Sequence, residues 1–125
     1  MLNKGLRDEE KIRIDNVLKT LRTLVFVPKP LSESEKNDIE LPLKDFGLNI
    51  ETLADYQNEE LITKLMQLHF DWDQLEQFAD FLMEFSKVEN YNFEDKALAL
   101  YHYIQQESKV FSFAIHTKIA SAKNK

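Results

Sequence analysis

The sequence predicts an all-α protein: an antiparallel helical bundle of four main helices plus a short broken helix or connector at about 32–47. Three observations lead there. Apolar residues recur at i, i+3, i+4 and i+7 over long stretches, the period of a helix with one buried face. Gly and Pro are scarce: Gly5 and Gly47, Pro28, Pro30 and Pro42, and neither type from Leu48 to Lys125. Tight hairpin turns with positive φ lean on Gly, so that half of the chain is poorly suited to strands. Finally, Asn, Asp and Ser stand where the apolar periods begin, the positions of helix N-caps. A chain of 125 residues, 43% hydrophobic and 30% charged, is read as one globular domain over 1–125, with 1–7 and 121–125 expected to fray.

The first helix is expected over Asp8–Phe26. Ile14, Val17, Leu18, Leu21, Leu24 and Val25 form its buried stripe. Acids at Asp8, Glu9 and Glu10 and bases at Lys19 and Arg22 suit the helix dipole. Pro28 and Pro30 push their predecessors out of α geometry and stop it. Ser32 with Glu35 spells a capping box, Pro42 kinks or breaks the helix begun there, and Gly47 suits a C-cap. Asn49 caps a helix expected over Ile50–His69; the polar run Gln57–Glu60 is a potential break, but continuity is the reading adopted. Asn92 caps a long last helix from Phe93 to about Ala120. Its stripe is Ala97, Leu100, Tyr101, Ile104, Ser108, Phe111, Ile115 and Ile119.

Residues 68–85, LHFDWDQLEQFADFLMEF, interleave acids with aromatics. Asp71 and Gln74 form a capping pattern that opens a helix near Trp72, ending near Val88. At about 100° per residue the two classes separate in space. Trp72, Leu75, Phe78, Ala79, Leu82 and Phe85 share one arc, and Phe81 and Met83 flank it. Asp73, Glu76, Gln77, Asp80, Glu84 and Lys87 crowd the remaining sector, expected to be a solvated face. So wide an apolar arc requires burial on more than one side, either at the centre of the bundle or against another chain.

Net charge is −6, unevenly spread: about +3 over residues 1–30, −13 over 31–95 and +4 over 96–125. An acidic middle argues against nucleic acid as a partner, although a basic edge would form if the first and last helices met. The absence of Cys removes thiol chemistry and Cys-ligated metals and fits a cytoplasmic protein. No apolar run is long enough for a membrane span. Glu-x-x-His, the signature of di-metal bundles, is missing: Met66, Ala99 and Phe113 precede His69, His102 and His116 by three. Two isolated glycines build no phosphate loop. No cofactor, metal or catalytic residue is therefore expected, and the chain is read as no enzyme.

The last helix carries a second, weaker apolar strip: Ala99, His102, Tyr103, Val110 and Phe113. Either the 28–47 connector covers it, or it is a contact surface. The leading expectation is a non-catalytic interaction protein that binds a protein partner or itself as a homodimer. Phe81, Met83, Tyr103, Val110 and Phe113 are its candidate apolar contacts, and Asp73, Asp80 and Glu84 the acidic face that steers a basic partner. The alternatives are a small apolar ligand in an aromatic-lined pocket, drawing on 14 aromatic residues, and an enzyme without a visible motif.

Overall fold

The computed structural model describes residues 2–25, 33–88, 93–108 and 112–123, and every regular element among them is a helix. In chain order these are α1 (Leu2–Val25), α2 (Glu33–Lys44), α3 (Ile50–Asp55), α4 (Asn58–Gln67), α5 (Trp72–Val88), α6 (Glu94–Ser108) and α7 (Phe113–Lys123). The all-α reading holds, but shorter pieces replace two of the long rods. The caps expected at Ser32 and Asn92, and the breaker prolines Pro28 and Pro30, lie outside the described residues.

α1 begins six residues before the expected Asp8, so Asp8–Glu10 sit inside the helix, and its first turn holds no acid. The predicted stripe is otherwise the buried one: Ile14, Val17, Leu18, Leu21 and Val25. α2 runs through Pro42, near its end, and closes in a Schellman motif. The Gly47 N–H donates to the Lys44 carbonyl (2.9 Å) and the Leu48 N–H to that of Leu43 (3.0 Å), with Gly47 at φ +70°. Leu43 and Leu48 are both buried beneath that turn.

The expected helix 50–69 is divided. Asn49 caps α3 as predicted, its Oδ1 accepting the Thr52 N–H at 2.7 Å. Tyr56 and Gln57 then turn extended, with ψ 138° and 157°, and the Glu60 carboxylate accepts the Gln57 N–H at 2.9 Å to open α4. From Ala54 to Glu60 no side chain is fully buried, so burial does not oppose the break while local capping favours it. α4 ends in a second Schellman motif. His69 donates to the Met66 carbonyl (3.0 Å) and Phe70 to that of Leu65 (3.3 Å), and His69 takes the glycine-like position at φ +69°.

The long last helix is divided as well. Ser112 caps α7: its Oγ accepts the Ile115 N–H at 3.2 Å and its carbonyl the His116 N–H at 3.0 Å. A single rod over 93–120 would reach roughly 42 Å, against about 25 Å for α5. Its end would overhang the bundle; the break lets Ile115, Ile119 and Ala122 fold back and bury.

α5 is the axis. It packs against α1 on one side and α6 on the other, while α2 rests on α1 and both α4 and α7 rest on α6. This accounts for its wide apolar arc: Leu75, Phe78, Ala79, Phe81, Leu82 and Phe85 are all fully buried. Phenylalanines from four segments form a continuous spine through it. Ring centroids lie 5.0 Å apart for Phe46–Phe70, 6.2 Å for Phe70–Phe78, 5.6 Å for Phe78–Phe81 and Phe81–Phe85, and 5.5 Å for Phe85–Phe93. The 28–47 connector was one candidate cover for the last helix; its helical part, α2, packs on α1 instead.

Candidate functional site

The acidic sector of α5 is not one solvated face. Asp73 is exposed and accepts a hydrogen bond from the Gln77 amide (2.8 Å). Glu84 is half-buried and pairs with Lys87 at 3.2 Å. Between them, Glu76 and Asp80 stand one turn apart beneath α7. Lys118 of α7 reaches down to both, 2.6 Å from Glu76 Oε2 and 3.1 Å from Asp80 Oδ2. The Tyr101 hydroxyl of α6 donates to Asp80 Oδ1. Lys118 also lies over the Tyr101 ring, 5.9 Å from its centroid. One carboxylate pair thus ties three helices together, and only 16% of the Asp80 side chain remains accessible. Asp80 is consumed inside the fold and is withdrawn as a steering charge.

The electrostatics of this cluster follow from its burial. Tyr101 is held well above the usual phenol range, first by burial and then by the hydrogen bond and charge of Asp80. It stays a neutral donor. For Lys118, burial opposes the ammonium, but the hydrogen bonds to Glu76 and Asp80 outweigh it, so its pKa rises. Both shifts move away from neutrality, the opposite of the tuning a general acid or base needs. Beside the cluster is a cavity of about 360 Å³, walled by Arg22, Met83, Lys87, Ser121 and Ala122 with Asp80, Glu84, Tyr101 and Lys118. Among the described residues Tyr101 is the only aromatic in its wall, so it is not the aromatic-lined pocket expected from composition; the described phenylalanines of the spine pack on one another instead.

A second polar cluster joins α1 to the start of α5. The predicted capping pair is reciprocal: Asp71 Oδ1 accepts the Gln74 N–H (2.8 Å) and Gln74 Oε1 accepts the Asp71 N–H (3.0 Å). The Gln74 amide, 1% exposed, also donates to Asp15 Oδ1 (2.9 Å) and to the Lys11 carbonyl (3.3 Å). Lys11 closes the ring on Asp71 at 2.9 Å, and that bond lifts its pKa. These bonds place the helices and leave Gln74 fully satisfied. Among the described residues, no three His, Asp or Glu side chains converge as a metal site. No described helix is long and apolar enough to cross a membrane.

The candidate contact residues scatter. Phe81 is completely buried between Phe78 and Phe85 and belongs to the core, a correction forced by α5 being covered on both sides. Met83 is half-buried at the cavity, and Val110 lies outside the described residues. Tyr103 and Phe113 do reach the surface: Phe113 is 74% exposed, and Tyr103 is half-buried against Trp72, ring centroids 6.0 Å apart. Trp72, placed by periodicity in the buried arc, is 38% exposed, although Gln74 and Leu75 in the same turn are buried. Of the basic residues expected to form an edge between the first and last helices, Arg22 and Lys118 both line the cavity.

No protein-family model, curated protein or solved structure matches this chain. The functional reading rests on its own residues.

Proposed function

We propose that this protein is a non-catalytic helical module that binds a protein partner, or a second copy of itself, through exposed aromatic side chains on α5, α6 and α7. The observation that carries this reading is the placement of Trp72, Tyr103 and Phe113. The chain's single Trp packs at a tilt of 50° against a Tyr at the surface and is flanked in sequence by the exposed Asp71 and Asp73. A Phe projects almost freely from the first turn of α7. Trp and Tyr are the residue types that anchor interfaces, since they bury much area for little lost conformational freedom. Acids beside them favour a partner that offers apolar and basic groups together.

Affinity capture with the wild-type chain and with a Trp72→Ser/Phe113→Ser variant tests the reading. The wild type is expected to retain a partner or its own copies, and the variant to lose them while its helical circular dichroism is unchanged. Equal retention by both proteins overturns the surface; retention by neither overturns the function.

A further inference from the structure

Among the described residues, α7 seats on the bundle through the buried Ile115, Ile119 and Ala122 and through Lys118, which pairs with Glu76 and Asp80. These four occupy i, i+4, i+7 and i+3, the pattern with which an amphipathic helix lies in a groove. The groove has a built polarity. Glu76 and Asp80 of α5 face the middle of the seated helix. Arg22 of α1 and Lys87 of α5 share the cavity wall with Ser121 and Ala122 in its last turn, where the helix dipole is negative. Yet α7 does not fill the groove. The cavity of about 360 Å³ is lined from α7 by the small residues Ser121 and Ala122, with Met83 and Tyr101 also in its wall.

We propose that the α5–α6 groove is a docking site for an amphipathic helix of a partner protein. That helix carries apolar residues at i, i+4 and i+7 and a Lys or Arg at i+3, and α7 is the under-filling internal occupant it displaces. The partner helix bears a side chain larger than Ala at i+7, which fills the space that α7 leaves. α7 competes from within the chain, at the millimolar effective concentration typical of a short connection, so the wild-type groove is closed to weak binders. This site is separate from the Trp72–Tyr103 surface and stands or falls independently of it.

The test uses the full chain and a labelled peptide of residues 112–123. In the chain, Lys118→Glu sets a carboxylate against Glu76 and Asp80, and Lys118→Met removes only the charge. Hydrogen exchange is expected to show α7 amides losing protection in both variants while α5 keeps its own. The peptide then binds the Lys118→Glu chain at least about tenfold more tightly than wild type, as loss of two charge-assisted bonds in the internal competitor implies. An Ala122→Leu peptide gains about another tenfold from the added apolar burial, and a Lys118→Glu peptide does not bind. Three results overturn the proposal: α7 stays protected in both variants; α7 is freed but no peptide binds; or α5 loses protection together with α7 in both variants, which makes α7 part of the core rather than an occupant.

Discussion

The two Schellman motifs permit a paired test in which the same backbone geometry predicts opposite signs. Gly47 and His69 hold equivalent positions after α2 and α4, at φ +70° and +69°. A left-handed conformation costs an L-residue roughly 1–2 kcal/mol, while glycine loses roughly 0.4–1 kcal/mol more chain entropy on folding. His69→Gly removes the strain and adds the entropy loss, a net stabilisation of about 0.5–1 kcal/mol. His69 is exposed, so little packing is lost with its ring. Gly47→Ala does the reverse and destabilises by about the same amount. The added Cβ meets the Lys64 Nζ at 3.2 Å and Cε at 3.7 Å, the far end of a long side chain, so strain rather than collision decides the sign. In a chain of this size about 3–5 °C accompanies each kcal/mol, giving a Tm a few degrees up for His69→Gly and a few degrees down for Gly47→Ala. Thermal unfolding followed by far-ultraviolet circular dichroism reads both. Shifts in the same direction, or a destabilised His69→Gly, would refute the cap geometry assigned to these turns.

Other substitutions probe the clusters one at a time. Gln74→Ala strips the partners of the Asp71 N–H, Asp15 and the Lys11 carbonyl at once, and should lower stability in urea by about 2–3 kcal/mol; a loss under about 0.5 kcal/mol would mean the network is ornamental. Phe78→Ala opens the aromatic spine where it meets Phe46, Phe70 and Phe81, and should cost about 3–5 kcal/mol, so an unfolding midpoint near wild type would contradict the packing. Tyr101 and Lys118 both have pKa values raised above 10.0 and 10.5, so above those values the folded chain keeps protons that the unfolded chain releases. Stability is therefore fully present below about pH 10 and falls as pH rises further; Tyr101→Phe should flatten that fall in a Tm-against-pH series, and an unchanged slope would separate the hydroxyl from it.

Local rules made much of this fold legible. The Asp71–Gln74 box, the Asn49 cap, the Gly47 turn and the bounds of α5 all follow from residues within about five positions of one another. The breaks at Gln57 and Ser112 were harder, because the apolar stripe keeps helical spacing across both. What decides them is a side-chain oxygen competing for a backbone N–H, and whether a longer rod would find anything to cover it. Tertiary proximity was not legible at all. Lys118 is 38 residues from Asp80 and 42 from Glu76, and Tyr101 is 21 from Asp80, so each reads alone as an ordinary solvated or core residue. The same holds for Phe81 and Trp72. A helical wheel orders them around α5 but does not say which sectors α1 and α6 occupy. Phe81, at one rim of the arc, is covered, while Trp72, near the opposite rim, is partly bare.

The central physical claim is that α5 is buried on two sides and forms the axis on which the other helices, and the surface aromatics they display, are mounted. Native-state hydrogen exchange resolved by residue tests it most directly. Amides of Phe78–Phe85 should exchange slowest, at rates set by global unfolding, with α1 and α6 next and α7 fastest of the helices that pack on them. Exchange of α5 through a low-energy local opening, ahead of α1 or α6, would contradict the account.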